Sequence, residues 1–239
     1  MASMNTRTTT RGGQSGRGRG ERGGRGGRGG GAGGNRREPD SSEVRTSKAL
    51  SYVLRHGAEK DGIPMRSDGY VLFTDLVKHP RLRTVTLSTL QSVVSSNDKQ
   101  RFKLIEEPHP TLPSQTVYLI RANQGHSLTT AEVQLTPITE ASQAPVVIHG
   151  TYKNVYPIIA KEGLKPMSRQ HIHFAAGMPG GGGVISGMRS SCDVVIYLDL
   201  QKALDAGVEF WRSENGVILS KGDKTGVIRP EFFKEVVMR

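Results

Sequence analysis

Apolar positions along this chain follow a helical spacing first and an alternating one later. Over residues 43–55, Val44, Leu50, Val53 and Leu54 fall on one helical face, with Ser42 placed as the cap and Gly57 as the stop. Asp68-Gly69 reads as a turn feeding a short apolar strand through Phe73, and residues 74–77 open a short helix. Thr86 caps another helix, whose Leu87, Leu90, Val93 and Val94 keep helical spacing. Residues 101–105 then alternate as a strand. A proline-bearing loop, 108–113, leads to a second strand at 116–121. Helices followed by a hairpin predict a winged-helix lobe over 41–128, an architecture that fixes no function by itself.

Residues 129–144 hold no sustained period and read as a linker. Beyond them the pattern predicts strands at 145–151, 170–174, 193–199, 208–211, 217–219 and 233–238. Helices are expected at 152–162, closed by Gly163, and at 201–206. The expected fold class is α+β, with a second lobe over 145–239 rich in short strands.

Composition changes the picture at the start of the chain. Residues 1–40 are dominated by glycine and arginine, with almost nothing apolar to bury, so they predict a disordered tail. The tail holds nine Arg against Glu21, Glu38 and Asp40, a charge of 9 − 3 = +6, out of +11 for the whole chain. The remaining 11 − 6 = +5 leaves the rest basic as well, which points to a polyanionic partner, nucleic acid ahead of membrane. The tail suits contact with RNA phosphates and bases, and equally suits a solubilising role. Cys192 has no mate for a disulfide, no secretory signal is evident, and no apolar run approaches the roughly 20 residues of a membrane span. The expected compartment is cytosol or nucleus.

Three cationic points stand out: Arg55-His56-Gly57, Arg121 running into Asn123-Gln124-Gly125-His126-Ser127, and Arg189 within Ser186-Gly187-Met188-Arg189-Ser190. Donors, fixed cations and a titratable imidazole suit a concave anion site, because arginine holds phosphate bidentately and keeps its charge. Arg55 and His56 also close a helix, where they would compensate its dipole without further purpose. The glycine run 177–183 lacks both the P-loop ending and the Gly-x-Gly-x-x-Gly spacing. His171-x-His173 shares one strand face but has no evident third metal ligand, and no metal is expected.

Five motifs occur in order: Lys48-Ala49-Leu50-Ser51-x-x-Leu54-Arg55-His56-Gly57, Ile120-Arg121-Ala122-Asn123-Gln124-Gly125-His126-Ser127, His149-Gly150-Thr151, His171-Ile172-His173 and Asn215-Gly216-Val217. Over about residues 45–238 the chain resembles the NAD-dependent tRNA 2′-phosphotransferase family. The resemblance implies an N-terminal RNA-binding lobe and a C-terminal ADP-ribosyltransferase-like lobe that takes NAD as co-substrate. The implied reaction moves the internal 2′-phosphate of ligated tRNA to NAD, releasing nicotinamide and ADP-ribose 1″,2″-cyclic phosphate. Arg55, His56, Arg121 and Arg189 are the implied catalytic residues. His149, Gly150, Thr151 and His173 are expected in the NAD pocket, and Lys48, Gln124, His126 and Ser127 on the RNA. The protein is expected to act as a monomer on 2′-phosphorylated RNA. Two rival readings remain at this point: an ADP-ribosyltransferase acting on nucleic-acid terminal phosphates or protein, and a non-catalytic RNA-binding adaptor.

Overall fold

Alternation after residue 101 builds a three-stranded antiparallel sheet in the computed structural model, which describes residues 40–128, 134–180, 184 and 186–239. Its strands β1 (Val71–Leu72), β2 (Phe102–Pro108) and β3 (Thr116–Ala122) lie in the order β1-β3-β2. Helix α1 (Ser42–Tyr52) starts one residue earlier than expected, because Ser41 rather than Ser42 caps it: the Ser41 Oγ accepts from the Val44 amide at 3.2 Å. The helix does not continue as an α-helix to Arg55. It widens into a π turn, Val53–Gly57. Gly57 permits this ending, since a Cβ there would lie 2.8 Å from Asp61 Oδ2 and 2.9 Å from the Tyr52 ring.

Helices α2 (Phe73–Leu76) and α3 (Leu87–Ser95) complete this part, and Thr86 caps α3 as its sequence predicts, accepting from Thr89 N at 3.1 Å. Leu50, Val53, Leu54, Leu76, Leu90, Phe102 and Ile120 form its core. Each such aliphatic or aromatic side chain contributes about 1.5–3 kcal/mol on burial.

The rest of the chain forms β4 (Thr136–Ile138), β5 (Ile148–Thr151), α4 (Tyr156–Glu162), β6 (Ile172–Phe174), β7 (Val194–Leu198), α5 (Leu200–Asp205), β8 (Phe210–Arg212), β9 (Ile218–Ser220) and β10 (Phe233–Met238). They make two further antiparallel sheets, β10-β7-β5 and β4-β8-β9-β6. Phe174, Phe210, Ile196 and Ile218 anchor the core.

The linker expectation needs correcting at its C-terminal end. β4 pairs Pro137 with Trp211, and Ile138 and Ala144 are buried in this core. A three-residue edge strand carrying a proline has no period to detect, and only an edge tolerates the missing N–H. Several elements also begin later than the pattern predicts: residue 148 rather than 145, 156 rather than 152, 172 rather than 170. Before α4 the chain makes a turn, with the amides of Val155 and Tyr156 both donating to the Tyr152 carbonyl at 2.9 Å.

Residues Asp40–Arg239 form one compact unit. The fold is therefore mixed α+β, as expected. The arginine–glycine tail and residues 181–183 of the glycine run lie outside the described residues. No helix among the described residues is long and apolar enough to cross a membrane.

Candidate active site

The π turn delivers Arg55 and His56, and such turns often occur at functional positions. Arg55 lies against the backbone of Gly125, whose φ of 87° suits glycine and where a Cβ would sit 3.5 Å from the Arg55 Cδ, Nε and Cζ atoms. Its Nε and one terminal nitrogen are buried and have no hydrogen-bond partner among the described residues. Burial, then the charge of Arg169, then that of Arg101, push the Arg55 guanidinium down to about 10. Arg101 is itself lowered by burial, against the opposing charge of Asp98, and Arg169 by burial and then by Arg189. A row of mutually repelling cations results, running Arg101, Arg55, Arg169, Arg189. Buried donors normally find partners, so unbonded guanidinium nitrogens among like charges mark a place where an oxyanion relieves both costs.

His56 projects from the same turn. Its Nδ1 lies 2.9 Å from Ser127 Oγ, and the Ser127 amide donates to the Arg55 carbonyl at 3.0 Å. Burial, then Arg55 and Arg169, lower the His56 pKa, so the ring is neutral at physiological pH.

The loop after β3 is almost wholly buried and is tied to the segment before β6. Gln170 N donates to the His126 carbonyl at 3.0 Å, and the Gln170 side chain donates to Leu128 O. Burial, followed by Arg55 and His56, drives His126 down to about 4. Burial and then Arg169 drive His173 to about 3. Nδ1 of His173 lies 2.9 Å from the His171 carbonyl, and Nε2 lies 2.7 Å from the Gln124 side-chain amide oxygen. Bonding two oxygens would require a charged ring, which those surroundings oppose. A neutral ring that donates from Nδ1 to the His171 carbonyl needs a donor at Nε2, which the Gln124 amide supplies when its NH2 end faces the ring.

Arg121 is also buried, yet differently placed. One terminal nitrogen bonds Glu214 Oε2 at 3.1 Å, the other lies 3.4 Å from the Asp68 carbonyl, and the guanidinium covers the Tyr70 ring at 4.9 Å. Lys103, directly opposite Arg121 across the β2–β3 ladder, bonds the second oxygen of Glu214. Burial opposes ionisation of that carboxyl, but the Lys103 and Arg121 bonds outweigh it and hold the Glu214 pKa below its usual value.

Arg189 stands at the exposed end of the row, beside Tyr152, whose hydroxyl meets Ser191 Oγ at 3.1 Å. His149 is anchored by Nδ1 to the His173 carbonyl at 3.0 Å, and Thr151 is buried at the end of β5. At Gly150 a Cβ would meet Met188 at 2.2 Å, so packing accounts for that glycine. Lys48 pairs with Asp40 and lines a cleft of about 490 Å³ with Ser51, Lys99 and Arg101.

The structure thus brings Arg55, His56, Gln124, His126, Ser127 and His173 together. It joins Arg189 to them through Arg169 and commits Arg121 to Glu214. Arg101 and Arg169 were missing from the sequence reading. The only signals for them were an arginine opening an alternating run and one two residues before His171.

The RNA 2′-phosphotransferase, Tpt1/KptA family matches residues 41–222. A tRNA 2′-phosphotransferase 1 from Danio rerio is 46% identical over 202 residues, covering 84% of this chain and 87% of that protein. The tRNA 2′-phosphotransferase of Saccharomyces cerevisiae is 40% identical over 210 residues, covering 84% and 86%. A probable RNA 2′-phosphotransferase from Acaryochloris marina is 34% identical over 201 residues, covering 82% and 99%. With a matching segment that spans the arginine row and both histidine strands, this chain belongs to the RNA 2′-phosphotransferase family.

Proposed function

We propose that this chain transfers the 2′-phosphate of a spliced tRNA, or of RNA like it, to NAD. The carrying observation is Arg55, whose buried donors lack a partner and whose neighbours Arg169 and Arg101 are cations. A phosphate dianion satisfies all three at once, and charge-assisted bidentate bonds to arginine are strong. On this reading the part up to residue 128 takes the RNA, as a winged-helix lobe. The part from 145 onward takes NAD, as an ADP-ribosyltransferase-like lobe, with His149, Gly150, Thr151 and His173 at the pocket.

In the first step an oxygen of the RNA 2′-phosphate forms a bond to C1″ of the nicotinamide ribose, and the bond to nicotinamide breaks with its electron pair. The dianion is already nucleophilic, so this step needs mainly alignment, which Arg55, Arg101 and Arg169 supply. In the second step the ribose 2″-oxygen bonds to the transferred phosphorus, and the RNA 2′-oxygen leaves. The proton lost by the 2″-hydroxyl must reach the departing 2′-oxygen. His56 can carry it: with Nδ1–H donating to Ser127 Oγ, Nε2 is free to accept and return a proton. The arginines stabilise the extra charge on phosphorus as the five-coordinate arrangement forms. Arg121 supports the adjacent loop through Glu214 in this scheme, and Arg189 closes the row on the exposed side.

Incubating the full chain with NAD and an RNA carrying one internal 2′-phosphate tests the reading. Nicotinamide, ADP-ribose 1″,2″-cyclic phosphate and 2′-hydroxyl RNA are the expected products. Stable ADP-ribosylated RNA without phosphate removal would favour the transferase rival, and RNA binding without nicotinamide release the adaptor.

A further inference from the structure

Arg101 follows a strained residue: Gln100 adopts a φ of 41°, a left-handed conformation unusual for a side-chain-bearing residue. Such backbone persists only where its surroundings over-determine it. Three asparagines from three separate segments do so here. Asn97 Oδ1 accepts from the Arg101 amide at 3.1 Å and from its guanidinium at 3.3 Å. Asn123 Nδ2 donates to the Gln100 carbonyl at 2.7 Å, and the Asn123 amide to the Arg101 carbonyl at 2.8 Å. Asn215 Nδ2 donates to the Lys99 carbonyl at 3.0 Å.

Asn215 comes from the turn between β8 and β9, far along the chain from the others. It is 3% exposed, and its amide has one workable orientation: Nδ2 faces the Lys99 carbonyl, which can only accept, and Oδ1 turns to the Ser213 hydroxyl at 2.9 Å, whose single proton it shares with the Val217 carbonyl at 3.0 Å. Its neighbour Glu214 grips Lys103 and Arg121 in the same stretch. Two consecutive residues of one turn therefore hold the backbone and a side chain on either side of Arg101.

We infer that Asn215, from the turn between β8 and β9, is a positioning residue that fixes Arg101 for the RNA 2′-phosphate. The inference rests on the proposed function, in which Arg101 contacts that phosphate. Asn215 itself touches no substrate. Its effect passes through the Lys99 carbonyl to the strained Gln100 and so to the aim of the Arg101 side chain.

The test is a two-by-two set of full-length chains: wild type, Asn215→Asp, Arg101→Ala, and both. Aspartate keeps the shape of asparagine but cannot donate to Lys99 O. Binding of a 2′-phosphorylated RNA oligonucleotide and of its 2′-hydroxyl twin is measured for each, with the melting temperature recorded alongside. Asn215→Asp should cut the preference for the phosphorylated oligonucleotide about tenfold, the scale of one misplaced charge-assisted bond, with 2′-hydroxyl RNA affinity almost unmoved. In the Arg101→Ala background the same change should alter the preference by less than about twofold. An unchanged preference in Asn215→Asp, or an equal loss with and without Arg101, overturns the inference. Should Asn215→Asp fold poorly, Asn215→Ser, which shortens the side chain out of reach of the Lys99 carbonyl without adding a charge, takes its place, and the same pair of outcomes decides. Wild-type chain that showed no preference for the phosphorylated RNA would instead overturn the proposed function.

Discussion

Arg55 and Arg121 are both largely withdrawn from water and both depress the His126 pKa, yet their surroundings differ. Arg121 has a carboxylate, a backbone carbonyl and an aromatic face. Arg55 has two buried nitrogens unbonded, Nε and a terminal one, and cationic neighbours, whereas Arg121 leaves only its Nε unbonded. A folded chain that needed an arginine only for stability would give it a partner like Glu214, because a buried charge without one costs several kcal/mol. Under the proposed function, this difference marks Arg55 as the arginine with the most to gain from an incoming oxyanion, while Arg121 already holds a carboxylate.

The largest effect that would sharpen this contrast is loss of turnover. Arg55→Ala should lower the single-turnover rate about 1,000-fold, the scale of removing a principal oxyanion donor. Its melting temperature should stay level or rise, since a strained cation is removed. A lower melting temperature with little change in rate would erase the distinction. Arg169→Ala should cost about 100-fold in rate by the same logic, since its row position is less enclosed.

Glu214→Ala reverses the pattern. It strands Arg121 and Lys103 opposite each other and should cost about 2 kcal/mol in chemical unfolding, a buried-pair figure reduced because the carboxylate is partly exposed. The rate should fall by less than about tenfold. A larger loss of rate than of stability would move Arg121 back among the groups that hold phosphate.

The buried imidazoles give a smaller effect. His126 and His173 have folded pKa values depressed to about 4 and about 3, below an ordinary histidine. Both states are neutral well above pH 6.5. As pH falls below that, the unfolded chain takes up protons that the folded chain refuses, so stability declines until the folded values are reached. By pH 5 the loss should be on the order of 2 kcal/mol per imidazole. Flat stability between pH 7 and 5 would place both rings in contact with an acidic partner. The acid limb of the rate profile should likewise fall below the usual histidine value, because burial and then Arg55 depress His56.

Much of this was legible in the sequence for identifiable reasons. Arg55-His56 sits where a helical apolar period meets a glycine stop, and the Asn123–Ser127 stretch carries too many polar groups for a strand end. The row itself was not legible. Arg101 opens an alternating run whose pattern explains it as an ordinary strand residue, and Arg169 lies in an aperiodic turn. Arg121 showed its charge but not its partner, which arrives 93 residues later. Distance along the chain hides ion pairs, and it hid Asn215 reaching Lys99 in the same way. β4 went unseen because three residues with a proline make no period.

A crystal of the full chain with a short 2′-phosphorylated RNA, and without NAD so that the phosphate stays in place, tests the central claim most directly. The account predicts the phosphorus within about 4–5 Å of the Arg55 guanidinium carbon, with Arg101 and Arg169 bonding other oxygens of the same group. A phosphate seated on Arg121 with Glu214 displaced, or held elsewhere with Arg55 still unbonded, would contradict it.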